Sequence, residues 1–280
     1  MLVELAVGDA YGAGFEYAEP GFVAEHNTLG AYVQHPTHLG VLPGAYTDDT
    51  QMTLAVAELL VSDEPWDRDR LAEYFVRAYR RDPRDGYARR FQEFLGTVST
   101  GSELLAGIVP ASDKSGAAMR AGPIGLLPTV DEVLRYTHTQ ARITHDTPDG
   151  IAAAQAAALA VHYCHRGLGP VRDLPAWVAS HLGPEWARPW RGKVGSKGWM
   201  SVRAALTSLS TGTAMSEILR SSVAWTGDVD TVATIALAAG SRCADIDQDL
   251  PVTLIENLEN GAYGHDYLRD LNARLLDRFS

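Results

Sequence analysis

Two short stretches of the chain concentrate oxygen ligands. In "AYTDDTQMTLAVAELL", residues 45–60, Asp48 and Asp49 stand between Thr47 and Thr50, directly before an apolar run of helical period. In "TGDVDTVATIALAAG", residues 226–240, Asp228, Asp230 and Thr231 open a second, Ala-rich run of the same kind. Asp and Thr are good helix N-caps, and acidic groups suit the positive end of the helix dipole by roughly 0.3–1 kcal/mol. A cap uses one carboxylate per helix, however, and each cluster has a second. Thr47, Asp48, Asp49, Asp228, Asp230 and Thr231 together form a hard, all-oxygen set. That set suits Mg²⁺ or Mn²⁺, admits Ca²⁺, and does not suit zinc or copper. Four carboxylates can neutralise two divalent cations, which permits a binuclear centre with ions about 3.5–4 Å apart.

A third acidic candidate lies in "VGDAYGAGFEY", where Asp9 and Glu16 flank Gly12 and Gly14 and follow Gly8. Glycines at this density allow either close backbone approach to a ligand or tight packing of two helices. The clusters do chemistry only if the helices behind them bring them together, and the pattern predicts such helices throughout. Met52, Val56, Leu59 and Leu60 share one helical face; so do Leu71, Phe75, Val76 and Tyr79, and Leu268, Leu271, Leu275 and Leu276. "DGIAAAQAAALAVHYCH", from Asp149, is alanine-rich enough to be packed closely on most sides. Alternating β-branched runs are scarce, and no βαβ rhythm appears. Loops are signalled by "EPGFVAEHNTLG", "GLGP", "HLGPEWARPWRGKVGSKG" and "ADIDQDLP", none of which has the character of an interdomain linker. The expectation is an all-α fold, a single compact multi-helix domain over residues 1–280.

Composition narrows the function. The chain is 46% hydrophobic and 21% charged, enough to bury a sizeable core. A formal net charge of -11 at pH 7 opposes general affinity for phosphate backbones, so a nucleic-acid partner is disfavoured. The two cysteines, Cys164 and Cys243, are far apart and in no CxxC arrangement, which argues against a disulfide framework or structural zinc. "MLVELAVGDAYG" lacks the basic start of a signal peptide, and no apolar run approaches the roughly 20 residues of a membrane span. The expectation is a soluble, cytoplasmic protein, monomeric and without a membrane partner.

Five blocks, "VGDAYGAGFE", "YTDDTQMTLAVAELL", "SGAAMRAGPIGLL", "ITHDTPDGIAAAQAAAL" and "TGDVDTVATIALAAG", occur in the order seen in the ADP-ribosylglycohydrolase family, which the chain resembles from residue 7 to about 240. The pairing of TDDT with a distant GDxDT carries most of the specificity. The resemblance implies an all-α fold around two Mg²⁺ or Mn²⁺ ions and removal of ADP-ribose from a modified protein, with arginine among the acceptors. It implies metal ligation by Thr47, Asp48, Asp49, Asp228, Asp230 and Thr231, and places Glu16 near the metals and the scissile bond. "SDKSGAAMR" matches a loop whose backbone amides, around Ser115, Gly116 and Ala117, hold the diphosphate, and His145 matches a histidine near the ribose and phosphates. Ser115 and Gly116 would lead into a helix whose N–H groups favour an anion. The sequence departs from the family where Thr226 and Gly227, preceded by Trp225, stand in place of two glycines, and where "SDKSG" replaces an Asn-Gly form. A larger residue there would narrow the pocket.

Cleavage at an anomeric carbon passes through an oxocarbenium-like state and needs an activated water. A metal-bound Asp is a poor free base because the cation lowers its pKa, so Glu16 is preferred for proton transfer over Asp48 or Asp49. Two other classes are compatible with the clusters: a two-metal phosphohydrolase, and a non-catalytic ADP-ribose binder on the same fold. "RPWRGKVGSKGW", from Arg188, is the one basic and aromatic stretch and reads as a surface loop near the substrate.

Overall fold

The computed structural model describes residues 1–279, and its regular structure is helical. In chain order the α-helices are α1 (Leu2–Ala13), α2 (Pro20–His26), α3 (Asp48–Val61), α4 (Arg68–Arg81), α5 (Arg89–Thr97), α6 (Gly101–Gly107), α7 (Gly116–Met119) and α8 (Val130–Ala141). They continue as α9 (Pro148–Arg166), α10 (Leu174–Leu182), α11 (Gly198–Thr211), α12 (Met215–Ala224), α13 (Val229–Gly240), α14 (Val252–Glu256) and α15 (His265–Phe279). Among the described residues extended pairing is confined to isolated bridges such as Ala111 with His145 and Val194 with Gly227.

Helix α13 is the axle of the fold. Every residue from Val229 to Gly240 is buried, and α1, α12, α11 and α9 pack around it. An Ala-rich helix is what such a position requires, because small side chains let several neighbours approach at once. The α1 crossing is the closest of these. A Cβ at Gly12 would fall 2.4 Å from the Asp230 Cα, and one at Gly8 would fall 2.7 Å from the Ala233 carbonyl oxygen. Of the two readings open for the glycine-rich block, tight helix packing is therefore the one realised at these positions. Gly8 and Gly12 lie inside α1 and bring the start of α13 against it.

The amphipathic faces read from the sequence point inward. Met52, Val56, Leu59 and Leu60 of α3, Leu71, Phe75 and Val76 of α4, and Leu268, Leu271 and Leu275 of α15 are buried, while Tyr79 and Leu276 are partly so. Helix α9 starts at a Thr147 hydroxyl that accepts from the Gly150 N–H, carries Pro148 in its first turn and ends at Gly167 with φ 58°. One expectation fails in detail. The segment from Glu19, read as a loop, contains the two turns of α2; Pro20 sits where its missing N–H is harmless, and Val23 anchors the helix to the core. The cysteines are free, buried thiols whose sulfurs lie 2.8 Å apart. Among the described residues no helix is long and apolar enough to cross a membrane.

Candidate active site

The starts of α3 and α13 and the segment after α1 meet at one end of a cavity of about 710 Å³. Glu16, Asp48, Asp49, Asp228, Asp230 and Thr231 line that end, so the two oxygen clusters that sequence reasoning could not join do converge. Carboxylate oxygens of Glu16, Asp228 and Asp230 lie within 4.8 Å of one another. Thr47 stands just behind this wall, buried, with its hydroxyl donating to Asp9 Oδ1 at 2.7 Å.

Helix capping does not account for these carboxylates. Neither Thr47, at the N-cap of α3, nor Asp228, at that of α13, caps its helix with its side chain. The start of α3 is instead held from outside by Asp9 of α1, which accepts from the backbone N–H groups of Thr47 and Thr50 and from both hydroxyls. Asp9 appeared in the sequence as a third acidic candidate; its place is this buried cap. Asp228 Oδ2 accepts from the Ser201 hydroxyl at 2.7 Å. Asp49 Oδ2 and Asp230 Oδ1 are buried with no hydrogen-bond partner. A buried polar atom left in that state costs about 1–3 kcal/mol, and more when charged, so an ordinary structural role does not explain them.

The electrostatics agree. Burial, then the charges of Asp228 and Asp9, push the Glu16 carboxyl up to about 7. Burial and the neighbouring carboxylates likewise hold Asp48, Asp49 and Asp230 well above the usual range. Burial raises Asp228 too, against the Ser201 hydrogen bond. A wall of carboxylates that repel one another, with orphaned oxygens among them, is a fit for a hard divalent cation.

Glu16 reaches the wall by a route the sequence did not disclose. It follows α1, and its backbone is held by neighbours: the His35 ring nitrogen Nε2 lies 2.7 Å from its carbonyl oxygen, and the Tyr17 N–H donates to the Gly227 carbonyl at 2.8 Å. His35 had no signal in the sequence, because a lone histidine in a loop carries none. Sequence reasoning set Glu16 apart from the ligand set, whereas the structure groups it with Asp228 and Asp230.

Further along the cavity stand Ser115, Gly116 and His145, with Arg120 and Thr144 behind them. Helix α7 is a single turn, so the helix expected after Ser115 is too short to contribute much dipole. Ala117 is buried below the lining, its carbonyl accepting from Gln140 Nε2 at 2.8 Å. An apolar wall of Phe91, Phe94, Ile108 and Val109, unmarked in the sequence reading, completes the cavity.

The two departures at the second cluster do not narrow the pocket. Among the described residues that line the cavity, neither Trp225 nor Thr226 appears; the Trp225 indole turns away to donate to Ser208 Oγ at 3.0 Å. Thr226 takes a left-handed φ of 61°, and Gly227, at φ 94°, has no room for a Cβ, which would fall 1.8 Å from the Val194 carbonyl oxygen. That Val194 belongs to the basic stretch from Arg188. The stretch does border the cavity, through Ser196, but Trp190 within it is buried.

A family model for ADP-ribosylglycohydrolase matches residues 1–280. The chain is similar to the ADP-ribosyl-dinitrogen reductase glycohydrolase of Rhodospirillum rubrum, at 32% identity over 173 residues covering 59% of this chain and 56% of that one. It is similar to the ADP-ribosylhydrolase ARH3 of Mus musculus, at 29% identity over 202 residues covering 63% of this chain and 51% of the relative. The matched segments thus span about half the length of these relatives. A solved ADP-ribosylglycohydrolase-related protein complex shares the fold, with a TM-score of 0.74 at 24% identity over 100% of this chain and 96% of that one.

Proposed function

The chain belongs to the ADP-ribosylglycohydrolase family, and from that premise we propose that it hydrolyses the glycosidic bond at the ribose anomeric carbon of ADP-ribosylated substrates, releasing ADP-ribose. The observation that carries the proposal is the convergence of Glu16, Asp228 and Asp230 on the cavity beside Asp48 and Asp49, with the orphaned Asp230 Oδ1 among them. Thr47, Asp48, Asp49, Asp228, Asp230 and Thr231 would hold two Mg²⁺ or Mn²⁺ ions. Bound there, such ions would supply the positive charge that acidifies a water and offsets charge developing on the substrate.

The chain's own residues do the rest. Glu16, with a carboxyl near 7 and a backbone fixed from two sides, is placed to accept a proton from water or to give one to the leaving group. Ser201 keeps Asp228 in one orientation, and Asp9 holds the start of α3 so that Asp48 and Asp49 remain available. Amides around Ser115, Gly116 and Ala117, with His145, receive the diphosphate. The apolar wall of Phe91, Phe94, Ile108 and Val109 gives a flat base an apolar surface to lie against. The acceptor we assign is a protein side chain such as arginine.

A panel of defined ADP-ribosylated substrates tests this reading. Free ADP-ribose is the expected product. Release of phosphate would indicate a two-metal phosphohydrolase, and tight ADP-ribose binding without turnover would indicate a binding protein.

A further inference from the structure

Arg120 is among the largest fully buried side chains of the protein, yet it meets no carboxylate at hydrogen-bond distance. Burying a guanidinium is costly unless its donors are used, and here Nε and one terminal nitrogen use theirs on one corner of the cavity. Its Nε donates to Gln140 Oε1 at 2.7 Å, and one terminal nitrogen donates to the Gln140 carbonyl at 3.3 Å and to the Thr144 hydroxyl at 2.8 Å. The plane lies over the Phe75 ring, 4.3 Å from its centroid. The same Gln140 side chain turns its amide to the Ala117 carbonyl. Arg120 thereby joins three pieces of chain that are separate in sequence: the single-turn helix α7, the end of α8, and the turn carrying Thr144 and His145.

The last link fixes a proton. Thr144 Oγ1 lies 2.7 Å from His145 Nδ1. Arg120 occupies one lone pair of that oxygen, and a threonine hydroxyl has a single proton to give. The second lone pair is open to an Nδ1–H, but that arrangement leaves the hydroxyl proton without an acceptor; donation to Nδ1 satisfies both groups, and Nδ1 then carries no hydrogen. The proton of the neutral ring is then on Nε2, the edge turned towards Gly116: a Cβ built there would lie 3.0 Å from His145 Cε1 and 3.3 Å from Nε2. We propose that Arg120, acting through Thr144, is a positioning residue that holds His145 as the Nε2–H tautomer, a neutral hydrogen-bond donor aimed into the cavity beside Gly116.

The environment keeps the ring neutral. Burial, then the Arg120 charge, lowers the His145 imidazole to about 3, against the charge of Asp113. A neutral donor on a rigid mount suits an anionic oxygen, because it offers a hydrogen bond without requiring a proton to be taken up on binding. The role of that donor in binding rests on the reading that this corner receives the diphosphate of ADP-ribose; the tautomer itself does not.

Nitrogen-15 NMR of histidine-labelled protein, free of ligand, tests the tautomer, with His145→Gln used to assign the resonances. Wild type is expected to show His145 as the Nε2–H form, unchanged between pH 6 and pH 8. Thr144→Val, which removes the relay without removing the buried charge, should abolish the strong preference, and Thr144→Ser should restore it. The companion measurement is calorimetric binding of ADP-ribose, in which Thr144→Val should weaken affinity by about tenfold, the value of one hydrogen bond. Its kinetic counterpart is a raised KM with kcat little changed. An Nδ1–H or doubly protonated ring in wild type, or an Nε2–H preference that survives in Thr144→Val, overturns the proposal. Correct tautomers with no ADP-ribose binding to wild type would leave the relay standing and remove the reading of the corner.

Discussion

The Asp9 carboxylate accepts both the backbone N–H of Thr50, at 2.9 Å, and its hydroxyl, at 2.6 Å, so α3 is capped by a side chain of α1. This relationship separates Asp48 and Asp49 from the capping of their own helix. A cap supplied from outside leaves Asp48 and Asp49 without a structural task at the helix start, facing the cavity with Glu16, Asp228 and Asp230. It also separates the stability of the site from its chemistry, and the two can be tested apart.

Asp9→Ala removes a buried acceptor and strands four donors. We expect it to lower the stability of the metal-free protein by about 3 kcal/mol, above the ordinary range for a lost cap. Urea unfolding in the presence of a chelator measures this directly. A variant as stable as wild type would mean that Asp9 does not hold the helix start.

Asp48→Ala and Asp230→Ala should behave in the opposite way. Each removes a like charge from a crowded wall, so the metal-free protein should keep or gain stability while turnover disappears. The same unfolding experiment, paired with an activity assay, distinguishes this from capping, for which each change would cost about 0.5–2 kcal/mol and spare catalysis.

How much of this was legible beforehand follows from where the signals lie. Both oxygen clusters and the helices behind them were readable, because Asp-rich helix starts and 3.6-residue periodicity are local patterns. Their convergence was not, since it depends on the crossing of α1 with α13, and glycines at 8 and 12 permit that crossing without naming the partner. Asp9 was visible as an acidic residue, but its four donors come from a helix some forty positions away. His35 and Arg120 act through hydrogen bonds to partners distant in sequence, Glu16 for one and Gln140 and Thr144 for the other; His35 has no local signal, and Arg120 lay within a recognised block without a role of its own. The Trp225–Thr226 departure looked consequential because adjacency in sequence suggested adjacency to the cavity; the indole turns the other way.

Glu16→Gln keeps the shape of the side chain and removes its ability to take a proton at neutral pH. Hydrolysis should slow by roughly 10²–10⁴-fold while ADP-ribose binding is retained. Single-turnover kinetics alongside calorimetry read both. If Mn²⁺ affinity falls together with the rate, Glu16 is a ligand, as its closeness to Asp228 and Asp230 allows, and the proton-transfer role passes to another group.

The same variant exposes a pH effect on the metal-free protein. The folded-state pKa of Glu16 is raised, to about 7, above its unfolded value of about 4.3. The folded state therefore binds the extra proton, and this contribution to stability is fully present below about 4.3 and lost as pH rises through 7. Melting of chelated wild type should thus decline relative to Glu16→Gln between pH 5.5 and pH 8.5. Taking the difference between the two proteins cancels the titration of the buried histidines. A wild type that gains on the variant with rising pH would contradict the assignment.

The central claim is that the carboxylate wall exists to hold catalytic divalent cations, and release of ADP-ribose from a mono-ADP-ribosylated protein, with and without metal, tests it most directly. With EDTA present, no free ADP-ribose should appear; adding Mg²⁺ or Mn²⁺ in excess should restore release in wild type and leave Asp230→Ala inactive. Cation should also raise the melting temperature of wild type, because it binds the folded state alone. Full hydrolysis in metal-free buffer, or unimpaired release by Asp230→Ala, would contradict the account.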